Sequence, residues 1–406
     1  MSTKTSVTLA DVAPPLVGSH VTRANDHCFC AVSAPASPGS RSFAGQFVRG
    51  AASEQSAAVL DIAERSLGHT GSSLAQGLKI DQFVTHEEAA APYLAVRAQR
   101  IATETRPSST HVQVTGLTEA ESLVGIQLVA FASKTAKEAI IVPGLPASPG
   151  KPFKPAPHAL VHGDFVFVTG QVAYDFDQGY PAAAEIDPST WYQSKVLNEG
   201  KYVLGKIETI MKHLGGSLAD TVKLEIYLND LAEVTEVERL LKDAYGDELP
   251  VRSYIPTVRL APTRCRIEIT AICRRPGSAL KITRIPGNTA WAASWLAPAA
   301  VEFGGLIFTS SLAGSLPGRL DAELDLREEV ALLLERAVSL HPGRAGDLGP
   351  VLFAGVQVGA DVAMGGLRNA ISRTGGHDKV VFSITTGQRP MLWTRGSVQG
   401  DFVLAV

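Results

Sequence analysis

The stretch Gly163-Asp164-Phe165-Val166-Phe167-Val168-Thr169-Gly170-Gln171, preceded by Ala156-Pro157-His158, is the most informative part of this 406-residue chain. A related pattern returns as Ala297-Pro298-Ala299, followed by Gly305-Leu306-Ile307-Phe308-Thr309. Upstream, Gly71-Ser72-Ser73-Leu74-Ala75 matches a later segment in the same way, Gly215-Gly216-Ser217-Leu218-Ala219. Both offsets are about 140 residues, which predicts three copies of one domain-sized unit.

Proline and glycine clusters separate the copies. Residues 142–150 read Val-Pro-Gly-Leu-Pro-Ala-Ser-Pro-Gly, a composition that cannot continue a helix or a central strand. Arg274-Arg275-Pro276-Gly277-Ser278 ends the second copy. We therefore expect domains at residues 1–141, 142–277 and 278–406.

The periodicity of the middle copy predicts strands and helices in a fixed order. They are a strand at 165–169, a helix at 189–213, a strand at 222–228, a helix at 234–245, and strands at 253–260 and 266–273. The other copies repeat the order, with helices at 54–67, 87–101, 327–340 and 363–372 and strands at 78–84 and 351–358. This order predicts an α+β fold in which each copy has one sheet with two helices on one face.

Composition excludes several classes of function. The net charge of -3 and the lack of a Lys/Arg run argue against a nucleic-acid partner. No apolar stretch is long enough to cross a membrane, and Met1–Ala10 lacks an apolar signal core, so we expect a cytoplasmic protein. Four cysteines are too few for a disulfide framework, and Cys28 and Cys30 are expected on one face of a strand.

The sequence also lacks the motifs of common cofactor and metal sites. It has no phosphate-binding glycine loop followed by Lys-Ser/Thr, no dinucleotide-binding fingerprint after a strand, and no His-x-x-x-His or paired Cys-x-x-Cys spacing. We therefore expect neither a cofactor nor a metal.

The middle copy resembles the RidA (YjgF) family of enamine and imine deaminases. The match runs from Pro155 to Arg274 and rests on the order and spacing of several motifs. They are Ala156-Pro157, Val168-Thr169-Gly170-Gln171, Gly215-Gly216-Ser217-Leu218-Ala219-Asp220, the segment 222–230, Pro250-Val251-Arg252-Ser253, and Arg266-Ile267-Glu268-Ile269-Thr270-Ala271. The resemblance implies a chorismate-mutase-like fold that forms homotrimers with pockets between subunits, so three fused copies imply a pseudo-trimer within one chain.

Two charged residues carry the chemistry that the resemblance implies. Arg252 matches the arginine that clamps a substrate carboxylate, because a guanidinium offers two parallel donors to that planar anion. Glu268 matches the glutamate that positions a water and moves its protons. A carboxylate between Ile267 and Ile269 in a central strand is costly unless it faces a pocket. Whether Arg252 and Glu268 line one pocket or face two different neighbours stays open.

Four further positions complete the site that the resemblance implies. Thr169 and Gly170 match a Ser-Gly pair that lines the pocket, with Thr169 also a candidate catalytic residue. Tyr254 holds a position whose backbone carbonyl helps to bind the water, and His158 replaces a usual tyrosine.

The outer copies lack this set. In copy one, the arginine, glutamate and threonine positions fall at Ser109, Gln127 and Ala44, and copy three offers neither an arginine nor a glutamate in register. Copy three instead has Trp291, Trp295 and Trp393, which are either packing residues or an apolar wall for an aromatic substrate.

Three functional hypotheses remain. The first is a cofactor-independent RidA-like enzyme acting on a small reactive imine, enamine or unsaturated carboxylate, in specialised metabolism. The second is a cyclase, lyase or hydrolase of an unstable aromatic intermediate, of the carbazole-cyclase or chorismatase kind. The third is a non-catalytic ligand-binding protein. The partner in each is a small molecule with a carboxylate or aromatic group, and the chain is either a monomer or a homo-oligomer of pseudo-trimers.

Overall fold

A computed structural model describes most of the chain. The described residues are 4–10, 17–34, 49–102, 106–119, 121–146, 156–190, 193–287, 296–315, 324–342, 348–387, 392 and 396–406. Three mixed sheets, each covered by two helices, define three domains that we number in chain order.

Domain 1 has the sheet order β1-β2-β3-β7-β4-β5, in which only β4 and β5 are parallel. Its elements are β1 Thr5–Val7, β2 Val21–Ala24, β3 His27–Ser33, α1 Arg49–His69, β4 Gly77–Val84, α2 Ala90–Arg100, β5 Ser108–Gln113, β6 Gly116–Leu117 and β7 Val124–Phe131. Cys28 and Cys30 are buried together in the core between β3 and the helices, as expected for one strand face.

Domain 2 repeats this topology with the order β8-β9-β10-β14-β11-β12. Its elements are β8 Glu138–Ile140, β9 Ala159–His162, β10 Phe165–Val172, α3 Lys195–His213, β11 Thr221–Leu228, α4 Val234–Tyr245, β12 Val251–Pro256, β13 Arg259–Leu260 and β14 Ile267–Arg274. The strand β8 precedes residue 142 but belongs to this sheet. We therefore propose that domain 2 begins just before β8.

Domain 3 has the order β15-β16-β17-β21-β19-β20. Its elements are β15 Thr283–Ile285, β16 Ala300–Phe303, β17 Leu306–Thr309, β18 Leu312–Ala313, α5 Leu326–Ser339, β19 Val351–Gly359, α6 Met364–Ser372, β20 Val381–Gly387 and β21 Val398–Ala405. The predicted order of elements is confirmed in all three domains.

The three domains form one pseudo-trimer. The short strand β13 of domain 2 pairs with β5, and β6 of domain 1 pairs with β20, so two sheets end in a strand from a neighbour. The faces turned away from the helices share one apolar core that includes Phe29, Phe167 and Phe308 from the three domains. This closed arrangement confirms the predicted pseudo-trimer.

A buried ion network crosses the same interior. Lys79 of domain 1 lies 2.5 Å from Glu225 of domain 2, and Lys223 of domain 2 contacts Asp401 of domain 3. Lys79 also pairs with Asp81. Burial raises the pKa of Asp81 to about 6, whereas the two lysines hold the pKa of Glu225 low despite its burial.

Candidate functional site

Arg252 and Glu268 project from opposite faces of the domain 2 sheet. Arg252 pairs with Leu224, and Glu268 pairs with Tyr227 on the same central strand. Since neighbouring side chains alternate along a strand, an odd separation places these two residues on different faces. Arg252 therefore faces α4, and Glu268 faces the interior of the pseudo-trimer.

Arg252 is fully buried and its donors are engaged by the protein. Its Nε donates to Glu238 Oε1 at 2.6 Å, and a second nitrogen pairs with the other oxygen of the same carboxylate. Further guanidinium bonds reach the carbonyl oxygens of Pro250, at 3.2 Å, and Ala297, at 3.0 Å. Burial would lower the pKa of Arg252, but the Glu238 carboxylate raises it.

Glu238 on α4 is the residue that sequence reasoning missed. Its side chain is 13% exposed, and it also accepts a hydrogen bond from the Tyr254 hydroxyl. It follows Val237, which is buried in the helix-packing core. Nothing in the helical periodicity distinguishes Glu238 from a solvated residue beside that apolar face. Beside this pair lies an open groove of about 710 Å³, lined partly by Arg239, Lys242 and Arg284.

The backbone around Arg252 is held by domain 3. Ser311 N donates to the Arg252 carbonyl at 2.9 Å, and Ser310 Oγ accepts from Arg252 N at 3.2 Å. The Tyr254 carbonyl, which the resemblance assigned to water binding, accepts from Gln399 Nε2 at 2.8 Å. Arg252 and Tyr254 therefore belong to the domain 2–domain 3 interface.

Glu268 belongs instead to the domain 1–domain 2 interface. It is 4% exposed and lies beside Thr110 of β5. Burial raises the pKa of the Glu268 carboxyl to about 8, while the Thr110 side chain and the Lys206 ammonium offset part of the rise. Lys206 donates to the Val172 carbonyl at 3.2 Å, next to Glu268 in the strand pairing. A carboxyl with this pKa is mostly protonated at neutral pH.

Gly170 makes room for the Glu268 carboxyl. The register of β10 against β14 shifts between Val168 and Gln171, so Thr169 and Gly170 form a bulge. A Cβ at Gly170 would lie 2.0 Å from Glu268 Oε1 and 2.3 Å from Thr110 Oγ1. Because Gly170 has no side chain, the Glu268 carboxyl and the Thr110 hydroxyl can lie close to the backbone of β10.

Thr169 and His158 have backbone partners. The Thr169 hydroxyl donates to the Pro157 carbonyl at 2.5 Å. The His158 ring accepts from Val142 N at 2.9 Å and contacts the Pro146 carbonyl at 3.4 Å, which fixes the start of the segment that joins β8 to β9. Burial lowers the pKa of His158, so the ring is neutral at pH 7.

The strand registers identify the corresponding positions in the outer domains. Ser109 corresponds to Arg252, as expected. Gly125, rather than Gln127, corresponds to Glu268, because Phe83 pairs with Gly125 where Tyr227 pairs with Glu268. The prediction of Gln127 was two residues off. In domain 3 the position is Gln399, so the predicted absence of a glutamate is confirmed.

Two sequence predictions lie outside the described residues. These are the copy-one threonine position at Ala44 and the cluster of Trp291, Trp295 and Trp393. In the described part of domain 1, β3 takes the place that β10 takes in domain 2, and it pairs with β7 without a bulge. Cys30 pairs with Leu128 where Val168 pairs with Ala271, so Ala31 holds the position of Thr169. The prediction of Ala44 for that position was therefore wrong.

Within the described ranges, no helix is long and apolar enough to cross a membrane, and no group of three metal-ligating side chains occurs.

Comparisons with known proteins match the middle of the chain. Residues 149–274 match the family model described as Endoribonuclease L-PSP. A RutC family protein of Pyrococcus abyssi is 31% identical over 137 residues, which are 34% of this chain and 96% of that protein. A putative reactive intermediate deaminase of Escherichia coli is 28% identical over 116 residues, or 28% of this chain and 81% of that protein.

Solved structures give two further likenesses. A putative endoribonuclease of Thermotoga maritima has 26% identity and a TM-score of 0.29, covering 35% of this chain and all of that one. A chorismatase has 16% identity and a TM-score of 0.46, covering 67% of this chain and 90% of that one. The sequence match over nearly the whole length of the Pyrococcus protein shows that the chain belongs to the RidA (RutC) family.

Proposed function

We propose that the chain is a RidA-type enzyme that acts on a small reactive imine or enamine carboxylate, with Glu268 as its acid and base. The observation that supports this proposal is a buried carboxyl with a pKa of about 8 beside a glycine bulge at a domain interface. Perturbed carboxyls in confined sites are candidates for proton transfer. The likeness to a putative reactive intermediate deaminase favours the same chemistry.

One carboxyl can serve every proton transfer of imine hydrolysis. Protonated Glu268 gives its proton to the imine nitrogen, which makes the imine carbon more electrophilic. The resulting carboxylate takes a proton from the water that adds to this carbon, and it returns that proton to the nitrogen so that ammonia can leave. As the C–N bond breaks and the carbonyl forms, the carboxylate takes the proton of the new hydroxyl group. The products are a ketone and ammonia, and the carboxyl is restored.

The proposal assigns the other residues by location. Gly170 and Thr110 lie against the Glu268 carboxyl, and Thr169 forms the bulge together with Gly170. Arg252 makes no contact with a substrate held there, since it lies on the other face of the sheet. Tyr254 lies with Arg252 at the domain 2–domain 3 interface, and His158 positions the segment between β8 and β9.

The test is an assay of imine hydrolysis in which an amino-acid oxidase generates the imine from alanine, and semicarbazide competes for it. We expect the wild type to accelerate hydrolysis and Glu268→Gln to lose about 10²–10⁴-fold in rate. Activity should fall as pH rises through about 8, where the acid form is lost. The exposed Glu208→Gln is the matched control. Equal rates for wild type and Glu268→Gln would refute the assignment.

The division of Arg252 and Glu268 between two interfaces favours a second candidate, a narrower reaction on an aromatic intermediate. A substrate that is held by apolar contacts does not need an arginine such as Arg252 next to the Glu268 carboxyl. The same assay with phenylalanine as the source of the imine, together with tryptophan fluorescence during titration with aromatic keto acids, separates the two. Fast turnover of the alanine-derived imine without a response to aromatic acids favours the deaminase.

A further inference from the structure

Domain 1 contains a buried arginine whose guanidinium has only a neutral partner among the described residues. Arg97 on α2 is 5% exposed, and its Nη1 donates to Gln82 Oε1 at 2.9 Å. No carboxylate among the described residues pairs with it. Burial lowers the pKa of Arg97, and the nearby Arg106 guanidinium lowers it further. A buried cation without a counter-ion is costly, so this arrangement calls for an anion.

Polar groups without partners surround this guanidinium. The Tyr93 hydroxyl and both ring nitrogens of His111 are buried and have no hydrogen-bond partner in the described part of the chain. The two rings lie 6.4 Å apart, centre to centre. Gln82 and His111 are cross-strand neighbours, and Tyr93 lies one helical turn before Arg97. We call Gln82, Tyr93, Arg97 and His111 the Arg97 cluster.

Domain 2 shows what fills the corresponding place. His111 holds the strand position that Tyr254 holds in domain 2, since Gln82 and Ile226 are equivalent in the two registers. There, the Glu238 carboxylate binds Arg252 through both oxygens and accepts from the Tyr254 hydroxyl. Domain 1 has the arginine and the polar ring groups, but no described carboxylate between them.

We propose that the Arg97 cluster binds the carboxylate of a small external ligand, in the role that Glu238 plays in domain 2. The two parallel N–H donors of a guanidinium match the two oxygens of a planar carboxylate, and the negative charge of the ligand balances the positive charge of Arg97. The Tyr93 hydroxyl and one His111 N–H supply further donors. Burial and Arg97 lower the pKa of His111 to about 4, so its ring is neutral at pH 7 and has one donor nitrogen. This site does not depend on catalysis at Glu268.

The experiment is thermal unfolding of the full chain titrated with sodium pyruvate or sodium benzoate, against sodium chloride at equal ionic strength. A ligand that binds the folded state raises the unfolding temperature. We expect this rise in the wild type, and binding at least about tenfold weaker in Arg97→Met. Arg100→Met, one turn further along α2 at an exposed ion pair with Asp61, should keep the response.

The variant without ligand distinguishes binding from a structural role. Arg97→Met removes a charge that no described carboxylate compensates, so the variant should unfold at the same temperature as the wild type or higher. Tyr93→Phe keeps the ring and should weaken carboxylate binding about threefold or more through the loss of one donor. A wild type that does not respond to carboxylates, or a response that persists in Arg97→Met, overturns the proposal.

Glu104 follows α2 in the sequence but lies outside the described residues. A variant therefore tests whether its carboxylate is the counter-ion of Arg97. If the ligand is external, Glu104→Gln should leave the carboxylate response unchanged. If Glu104→Gln instead tightens binding and lowers the unfolding temperature without ligand, the chain supplies its own counter-ion, and the proposal of an external ligand is wrong.

Discussion

The two interfaces of domain 2 differ in which charged residue they contain, Arg252 or Glu268. The interface with domain 1 has the Glu268 carboxyl, but the strand arginine position there is Ser109. The interface with domain 3 has Arg252, but the glutamate position there is Gln399, whose side chain amide binds the Tyr254 carbonyl. Domain 2 therefore has both Arg252 and Glu268, but neither of its interfaces has the two residues together.

This difference changes the electrostatics of the two residues. At the domain 3 side, the Glu238 carboxylate neutralises Arg252 in a largely buried salt bridge. At the domain 1 side, none of the described arginines lies beside Glu268, and burial keeps its carboxyl mostly protonated at neutral pH. The first arrangement stabilises the packing of α4 on the sheet, whereas the second leaves a group that can exchange a proton.

The largest expected effect is on the Arg252 side. Arg252→Met should destabilise the protein by about 3–5 kcal/mol, because it leaves the Glu238 carboxylate largely buried without its counter-ion. The free energy of unfolding from urea denaturation measures this. Arg252→Met combined with Glu238→Gln should cost clearly less than the sum of the single changes. If the losses of unfolding free energy simply add, Arg252 and Glu238 do not stabilise each other, and the expectation is wrong.

The second effect is a pH dependence on the Glu268 side. The carboxyl has an ordinary pKa of 4.5 in the unfolded chain and about 8 in the folded one. Between these values the folded state keeps a proton that the unfolded state has released, so the unfolding free energy should fall as pH rises. Over this pH range, the wild type should lose on the order of 3 kcal/mol more unfolding free energy than the Glu268→Gln variant. Urea denaturation of both proteins between about pH 5 and about pH 8 would show it, and parallel curves would refute it.

A smaller effect tests the glycine bulge between Thr110 and Glu268. Gly170→Ala should cost about 1–3 kcal/mol, since its Cβ would meet two side-chain oxygens and backbone shifts would follow. Gly205→Ala is the control, because nothing lies within 4 Å of a Cβ there and alanine favours the helix by roughly 0.5–1 kcal/mol. If both variants behave alike in thermal unfolding, the bulge does not constrain the interface.

The sequence predicted the repeat and the order of elements, but not how Arg252 and Glu268 are arranged relative to each other. Internal repetition and helical periodicity suffice for α4, whose predicted bounds are those observed. The relation of Arg252 to Glu268 depends on the register of β12 and β14 against β11, which the sequence does not specify. The role of Glu238 depends on tertiary packing, so no local pattern pointed to it.

The smallest expected effect concerns an ion pair on the surface of the domain 1–domain 2 interface. Arg259 in β13 pairs with Glu87 of domain 1, but the two side chains are 46% and 56% exposed. Solvent and salt screen such a pair, so Arg259→Gln should change the unfolding free energy by less than about 1 kcal/mol. The effect should shrink further in high salt, unlike that of Arg252→Met. A cost above about 2 kcal/mol would mean that this exposed contact, rather than the buried groups beside Gly170, holds domain 1 against domain 2.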